Sequence, residues 1–172
     1  MKKESLKNTK TIAAVAMLTA LYLVLSALLK IPVAGHITVD LGYVALMVAC
    51  FNLGAVPSMI VGAMGAFLES ALMAQRGVSI GWVFMNAIVG YICGAALSKT
   101  KTLDTKQCIL RAVVSVPLSM VLGVAVKTFF DCIIYDYPLA VKIPTAIAAC
   151  VIDSVIMLVF GLPLSLALKN RL

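Results

Sequence analysis

Several polar and aromatic side chains fall within or beside long apolar stretches of this sequence. Ionisable and amide side chains are costly in hydrocarbon, so inside a spanning segment they face a protein partner or a polar cavity. Carboxylates, an amide and an ammonium group can hydrogen-bond a small ligand, and aromatic rings can stack on it. These residue types predict a binding site for a small polar ligand, formed by Glu69, Trp82, Asn86, Lys127, Asp131, Tyr135 and Asp153.

The same residues also have purely structural interpretations. A lysine near a helix end can extend its ammonium group to the membrane surface, and Asp131 can cap a helix. The two aromatic residues can belong to the aromatic belt at the membrane interface. Lys127 can form a structural ion pair with Glu69 or Asp153, whose short side chains do not reach water.

Enzymatic chemistry has little support in the sequence. The phosphate-binding pattern G-x-x-x-x-G-K-[ST] and the zinc pattern H-E-x-x-H do not occur. The five cysteines lack the spacing of metal ligands, and His36 is the single histidine. We therefore expect a protein that binds its ligand without transforming it, and that needs no metal ion or cofactor.

The composition is typical of a membrane protein. Of the 172 residues, 63% are hydrophobic and 12% are charged, against roughly 45–50% apolar and about 25% charged residues in soluble domains. The net charge of +7 is explained by basic loops on one side of a membrane rather than by nucleic-acid binding. The apolar run 11–29 is too long for a usual signal-peptide core and predicts the first spanning helix.

The apolar runs predict one domain, residues 1–172, of the all-α membrane class with six transmembrane helices. Helix-breaking residues at Asn52, Gly54 and Pro57 separate a short second helix from the third. With six helices, ten of the fourteen Lys and Arg residues fall on the side of both termini, which predicts that both termini are cytoplasmic. The predicted helices are 11–29, 41–51, 56–73, 80–97, 109–130 and 143–168.

The segment 30–40 differs in kind from the helices. Pro32 and Gly35 disfavour a helix there, and the β-branched residues of the segment favour extended structure. We expect an outside loop, including His36 and Asp40, that folds over the mouth of the binding site.

Small residues recur one turn apart in the first helix, at Ala16 and Ala20, with Ala13 on an adjoining part of the same face. Such pairs let helix backbones approach closely in lipid. This face therefore predicts that another helix packs against it. Similar small faces on the other helices have the simpler role of packing the bundle together.

The order of these features resembles the S component, the substrate-binding membrane subunit, of energy-coupling factor (ECF) vitamin transporters. The resemblance covers nearly the whole chain and rests on its size, six helices, basic N-terminus and the alanine pair of the first helix. It also rests on three segments, DLGYVAL (40–46), FNLGAVPSMIVGAMGAFLESAL (51–72) and GWVFMNAIVGYICG (81–94).

The resemblance implies a transporter subunit of the bacterial plasma membrane without ATPase motifs of its own. Such a subunit captures a vitamin or vitamin precursor outside the cell. It docks on the membrane protein EcfT through small residues of its first helix, here Ala13, Ala16 and Ala20. Two ATPase subunits bound to EcfT power the cycle, and the S component topples in the lipid to deliver the vitamin inward. No nucleic-acid partner is implied.

The glycine pattern looks closest to the subgroup that includes hydroxymethylpyrimidine and pyridoxine carriers, so a small heteroaromatic substrate is expected. Pantothenate is the alternative, with Lys127 or Arg76 pairing with its carboxylate. Two other classes of function compete with this one. The first is an autonomous proton-coupled secondary transporter with Asp153 or Glu69 as the proton site, and the second is a membrane assembly factor.

Overall fold

Apolar helices make up most of the described chain. The computed structural model describes residues 9–28, 31–34, 37–73, 79–98, 104–136 and 138–168. A π-helical turn, Met157–Gly161, joins the sixth helix to a short final one. The helices are α1 (Thr9–Leu28), α2 (Gly42–Asn52), α3 (Ala55–Met73), α4 (Ile80–Leu97), α5 (Thr105–Ile134), α6 (Leu139–Ile156) and α7 (Leu162–Ala167).

Five helical segments are long and apolar enough to cross a membrane. Helix α2 is also apolar, and its 11 residues are fewer than the roughly 20 of a helix that crosses the hydrocarbon core by itself. The chain is therefore a multi-pass membrane protein. The five candidate spans are Thr9–Leu28, Ala55–Leu72, Ile80–Leu97, Thr105–Ile134 and Lys142–Ala167.

Two helices extend beyond the apolar runs that predict them. Helix α5 reaches from Thr105 to Ile134, where the apolar run covers 109–130, and α6 begins at Leu139 instead of 143. An apolar run marks only the part of a helix that can lie in hydrocarbon. Polar turns continue the same helix into the interface without changing its backbone, so hydropathy underestimates the length of these helices.

The break between α2 and α3 lies where the sequence predicts it. Helix α2 ends at Asn52 and α3 begins at Ala55. Between them Gly54 has a φ of 90°, a backbone conformation that side-chain-bearing residues rarely adopt. Pro57 falls in the first turn of α3, where its missing N–H leaves no helical hydrogen bond unmade.

An antiparallel hairpin of two short strands, β1 (Ile31–Ala34) and β2 (Ile37–Val39), follows α1. The strands pair with Ile31 opposite Val39, and β2 packs against α6. This is extended structure of the kind that the sequence predicts for 30–40. It adds two strands to an otherwise helical fold.

Asp40 links the end of this hairpin to α1 through a side-chain hydrogen bond. Its Oδ1 accepts hydrogen bonds from the Ser26 hydroxyl at 2.6 Å and from the Gly42 amide at 2.8 Å, and the residue is buried. The Gly42 amide opens α2 and has no partner within that helix, so the carboxylate takes the place of a helix cap. Asp40 thus lies at the base of the hairpin. His36, the other residue of the predicted loop, lies outside the described residues.

Helix α2 lies at the centre of the bundle. Every residue from Ala45 to Asn52 is buried, and the helix contacts α1, α3, α4 and the π-helical turn. A helix that is apolar on all sides is stable when other helices surround it. The outer helices instead leave large apolar side chains exposed, among them Leu110, Leu118 and Ile147, as contact with lipid requires.

Two glycines let α3 approach its neighbours. A Cβ at Gly65 would lie 2.6 Å from the ring of Tyr22 in α1, and a Cβ at Gly62 would collide with the main-chain carbonyl of Asn86 in α4. Real side chains essentially never approach so closely. Glycine at these positions therefore fixes how near Tyr22 and Asn86 lie to α3.

Substituting valine for Gly65 is expected to lower the free energy of unfolding by about 1–3 kcal/mol, because the new side chain overlaps the buried Tyr22 ring. Thermal unfolding in detergent measures the change. The control is Ala71→Val on the exposed face of the same helix, which should shift the midpoint little. A Gly65→Val protein as stable as this control would contradict the observed packing.

Candidate functional site

Polar and aromatic side chains from five helices meet near one end of the bundle. They come from the C-terminal halves of α1 and α3, the first turn of α2, the first two turns of α4, and the middle of the last candidate span, Lys142–Ala167. All but Trp82 are buried, and Trp82 is half-buried. We call this set the polar cluster, and it consists of Tyr22, Tyr43, Glu69, Trp82, Asn86 and Asp153.

Hydrogen bonds link one side of the polar cluster. The indole Nε1–H of Trp82 donates to Glu69 Oε2 at 3.2 Å, which joins α4 to α3. Asn86 donates from Nδ2 to the Trp82 carbonyl at 3.0 Å and accepts at Oδ1 from the Tyr22 hydroxyl at 3.3 Å. Because each bond satisfies a buried or partly buried polar atom, these bonds hold the side chains in defined positions.

Three aromatic rings run through the polar cluster. The ring centroids of Tyr22 and Tyr43 lie 6.4 Å apart, and those of Tyr43 and Trp82 lie 6.2 Å apart, both pairs edge-to-face. This is a favoured geometry for aromatic pairs. Tyr43 therefore stands between the other two rings and connects the hydrogen-bonded side of the cluster to α2.

Asp153 and the Tyr43 hydroxyl form the other side of the polar cluster. Asp153 is 3% exposed and interacts electrostatically with Asp40, Glu69 and Lys127. The Tyr43 hydroxyl is buried and near Asn86. Among the described residues, however, no group meets it with hydrogen-bond geometry.

An ion-paired group of three charges borders the polar cluster. Asp131 Oδ2 accepts from Lys127 Nζ at 2.8 Å and from Lys142 Nζ at 3.0 Å. The partner of Lys127 is thus Asp131, one turn away in α5, and not Glu69 or Asp153 as in the ion pairs considered from the sequence. Asp131 does not cap a helix. It joins α5 to α6 near the connection between them.

The structure therefore brings together four of the residues predicted for the site, Glu69, Trp82, Asn86 and Asp153, with Lys127 and Asp131 beside them. Tyr135 lies at the C-terminal end of α5, 43% exposed and outside the buried cluster. Arg76, considered for a carboxylate ligand, lies outside the described residues.

Sequence reasoning missed Tyr22, Tyr43 and Lys142. The two tyrosines had a detectable signal, because each places a hydroxyl inside an apolar run. Lys142 had none, since its partner Asp131 belongs to a different helix and nothing in the sequence spacing relates them.

Two features of catalytic sites have no counterpart in the described part of the chain. In the described part of the chain, His, Cys, Asp and Glu side chains form no group that could hold a metal ion. Residues 77–81 match the serine-nucleophile pattern G-x-S-x-G, with Ser79 just before α4. That pattern requires a strand running into the turn, and the strands of the described chain, 31–34 and 37–39, lie much earlier.

A second surface of interest lies on α1. Ala13, Ala16 and Ala20 are all exposed, together with the large side chains of Met17 and Leu21. Only 22% of this span is buried within the chain, the lowest share of the five candidate spans. Helix α1 therefore presents a broad apolar face, with small residues along it, that the described part of the chain leaves uncovered.

Comparison with known protein families gives one result for the whole chain. A family model described as ECF-type riboflavin transporter, S component, matches residues 6–170. No curated protein matches the chain. The family description names riboflavin, so the sequence-based assignment to the hydroxymethylpyrimidine and pyridoxine subgroup is not confirmed.

Proposed function

Because the chain belongs to the ECF-type riboflavin transporter S component family, we propose that it captures riboflavin at the polar cluster and delivers it into the cell. It is a substrate-binding subunit of a vitamin transporter, a class that works with EcfT and ATPase subunits. The observation that carries the choice of site is the convergence of Tyr22, Tyr43, Glu69, Trp82, Asn86 and Asp153 from five helices.

The chemistry of the polar cluster suits a flavin. The isoalloxazine ring system has flat apolar faces and an edge of alternating hydrogen-bond donors and acceptors. Trp82 and Tyr43 offer aromatic surface for the faces. Asn86, Glu69 and Asp153 offer amide and carboxylate groups for the polar edge and the ribityl hydroxyls. Pyridoxine and hydroxymethylpyrimidine are smaller rings that use the same chemistry, so they are the competing ligands in the test below.

The distribution of charge supports a cluster that faces outward. Lys10 lies near the start of α1, and Lys106 and Arg111 lie near the start of α5, all exposed. The polar cluster lies toward the opposite ends of these helices. Since basic residues favour the cytoplasmic side, we propose that both termini are cytoplasmic and that the cluster opens to the outside of a bacterial plasma membrane. This topology requires α2, together with the residues that flank it, to make one crossing in addition to the five candidate spans.

The exposed face of α1 is the proposed docking surface for EcfT. Ala13, Ala16 and Ala20 lie on it, and small residues allow two helix backbones to pack closely in lipid, where apolar surface alone gives no preference for protein over lipid. ATP hydrolysis would then take place on the partner subunits, in accord with the lack of a phosphate-binding loop in this sequence.

Riboflavin binding by the purified protein alone tests the proposed site. Trp82 is the only tryptophan in the chain, so its fluorescence reports on the polar cluster directly. Riboflavin should quench this fluorescence with saturable, tight binding, and pyridoxine or hydroxymethylpyrimidine should not displace it at equal concentration. Displacement by either of them, or no quenching by riboflavin, would overturn the substrate assignment.

Uptake into proteoliposomes tests the proposed mechanism. With EcfT and the ATPase subunits present, ATP should drive riboflavin accumulation, and a pH gradient without these partners should drive none. Accumulation driven by a pH gradient alone would instead identify an autonomous secondary transporter.

A further inference from the structure

Helix α1 is attached to the bundle mainly at one end. Its buried residues all lie in its C-terminal half, and none of the described residues 9–17 is buried. This attached end is also the end at which the polar cluster lies, whereas Ala13 and Ala16 of the proposed docking surface lie on the part without buried residues. The contacts of four side chains therefore decide how α1 is held, and these are Leu18, Thr19, Tyr22 and Ser26.

The side chain of Tyr22 contacts three other helices. It has no exposed surface, and its ring lies 2.6 Å from the position of a Cβ on Gly65 in α3 and 3.1 Å from that of a Cβ on Gly42 in α2. The ring therefore fills a slot that exists because both neighbours are glycine. Its hydroxyl donates to Asn86 Oδ1 in α4 at 3.3 Å.

Tyr22 is the residue that α1 contributes to the polar cluster. A second side-chain hydrogen bond of α1, from Ser26 Oγ to Asp40 Oδ1 at 2.6 Å, leads to the end of the hairpin instead. The partners of Tyr22 within the cluster are Asn86, through the hydroxyl, and Tyr43, through an edge-to-face ring contact. Both partners lie in the proposed riboflavin site, so a change in either of them reaches α1 through Tyr22.

We propose that Tyr22 couples occupancy of the polar cluster to the attachment of α1. Bound riboflavin restrains Asn86 and Tyr43, and these two side chains restrain Tyr22. The attached end of α1 therefore separates from the bundle less often when the site is occupied. This inference rests on the proposed function. It makes Tyr22 a positioning residue that acts on the helix carrying the docking surface and does not itself bind the substrate.

The coupling acts in both directions, because two linked equilibria change each other by the same factor. When the attached end of α1 moves away from the bundle, the buried Oδ1 of Asn86 loses the Tyr22 hydroxyl as its donor. Leaving a buried acceptor without a donor costs free energy, and the cost falls on a residue of the binding site. A partner that holds α1 in the separated position therefore weakens riboflavin binding and favours its release.

Hydrogen–deuterium exchange of the purified protein in detergent tests the coupling, with Trp82 fluorescence reporting that the site is occupied. Saturating riboflavin is expected to slow exchange of the main-chain amides in 18–28 by about 5-fold or more, which is the lower end of usual coupling strengths. The amides of 105–115, at the end of α5 opposite the cluster, should exchange equally with and without riboflavin. Unchanged exchange in 18–28 at full occupancy would overturn the proposal, and this comparison needs no variant protein.

Two variants assign the coupling to one hydroxyl. Tyr22→Phe keeps the ring between the two glycines and removes the donor to Asn86. The ratio of exchange rates without and with riboflavin should fall to about 2-fold or less in 18–28 and stay as in the wild type in 82–90 of α4. A purely structural loss of stability would raise exchange in both states and leave this ratio unchanged.

The matched control is Ser26→Ala, which removes a buried hydroxyl from the same helix and breaks the bond to Asp40. It should keep the wild-type ratio in 18–28. A Tyr22→Phe protein with the wild-type ratio, or an equal loss of the ratio in Ser26→Ala, would overturn the role of Tyr22.

The outcomes also separate this inference from the proposed function. If riboflavin does not bind to the wild-type protein, the proposed substrate is wrong and the inference falls with it. If riboflavin binds tightly and exchange in α1 does not respond, the proposed function stands and only the coupling through Tyr22 is wrong.

Discussion

Replacing Ala16 with tryptophan is expected to reduce ATP-driven uptake by more than about 10-fold while riboflavin binding stays within about 2-fold of wild type. A small residue at an interface between membrane helices sets the distance between their backbones. An indole there holds a partner helix away from α1. Ala16 is exposed, so the larger side chain meets lipid in the isolated protein and leaves its fold undisturbed.

The measurement needs two assays on the same protein. Equilibrium binding is measured on the purified subunit, and uptake is measured in proteoliposomes with EcfT, the ATPases and ATP. Ala20→Trp, one turn along the same face, should behave like Ala16→Trp. The matched control is Ala125→Trp, at another exposed alanine, on α5, which should transport normally. Normal uptake by the two α1 variants would rule out this face as the docking surface.

The helices could be predicted from the sequence because each depends on local signals. Apolar runs of sufficient length specify the spans, and the break before α3 is encoded by Gly54, whose φ of 90° suits glycine. The strand pairing of the hairpin is different. Which residue of β1 faces which residue of β2 depends on contacts beyond the segment, so the sequence predicted extended structure without a register.

Part of the site could be predicted, because a polar residue within an apolar run is easily recognised in the sequence. Glu69, Asn86 and Asp153 interrupt apolar runs, and hydrocarbon makes such interruptions costly unless they have a role. Tyrosine is a weaker indication of a binding site, because it occurs commonly both in protein cores and at the membrane interface. Tyr43 therefore could not be assigned to the cluster without its position against Trp82.

Contacts between helices were beyond sequence reasoning. Lys127 and Asp131 are related by spacing in one helix, but the approach of Lys142 depends on how α5 and α6 pack. The same limit applies to the rings. Their order, Tyr22 to Tyr43 to Trp82, joins residues from three helices, and only the fold determines that order.

Replacing Trp82 with alanine is expected to weaken riboflavin binding by about 100-fold or more. Large aromatic residues at the centre of a buried site contribute much of the binding free energy. Trp82 makes two further contributions, since its indole N–H bonds Glu69 and its carbonyl accepts from Asn86. Alanine keeps the carbonyl and removes both the ring and the N–H.

Trp82→Phe separates these contributions. Phenylalanine retains an aromatic face but cannot donate to Glu69, so we expect a loss of about 5- to 10-fold, the effect of one hydrogen bond. Calorimetric titration is suitable because both variants lack the fluorescent residue. The matched control is Phe84→Ala, which removes a ring two residues away that is 49% exposed and stacks on Phe130. If removal of the Phe84 ring weakened binding as much as removal of the Trp82 ring, the loss would reflect a general disturbance of α4 and Trp82 would have no direct part in binding.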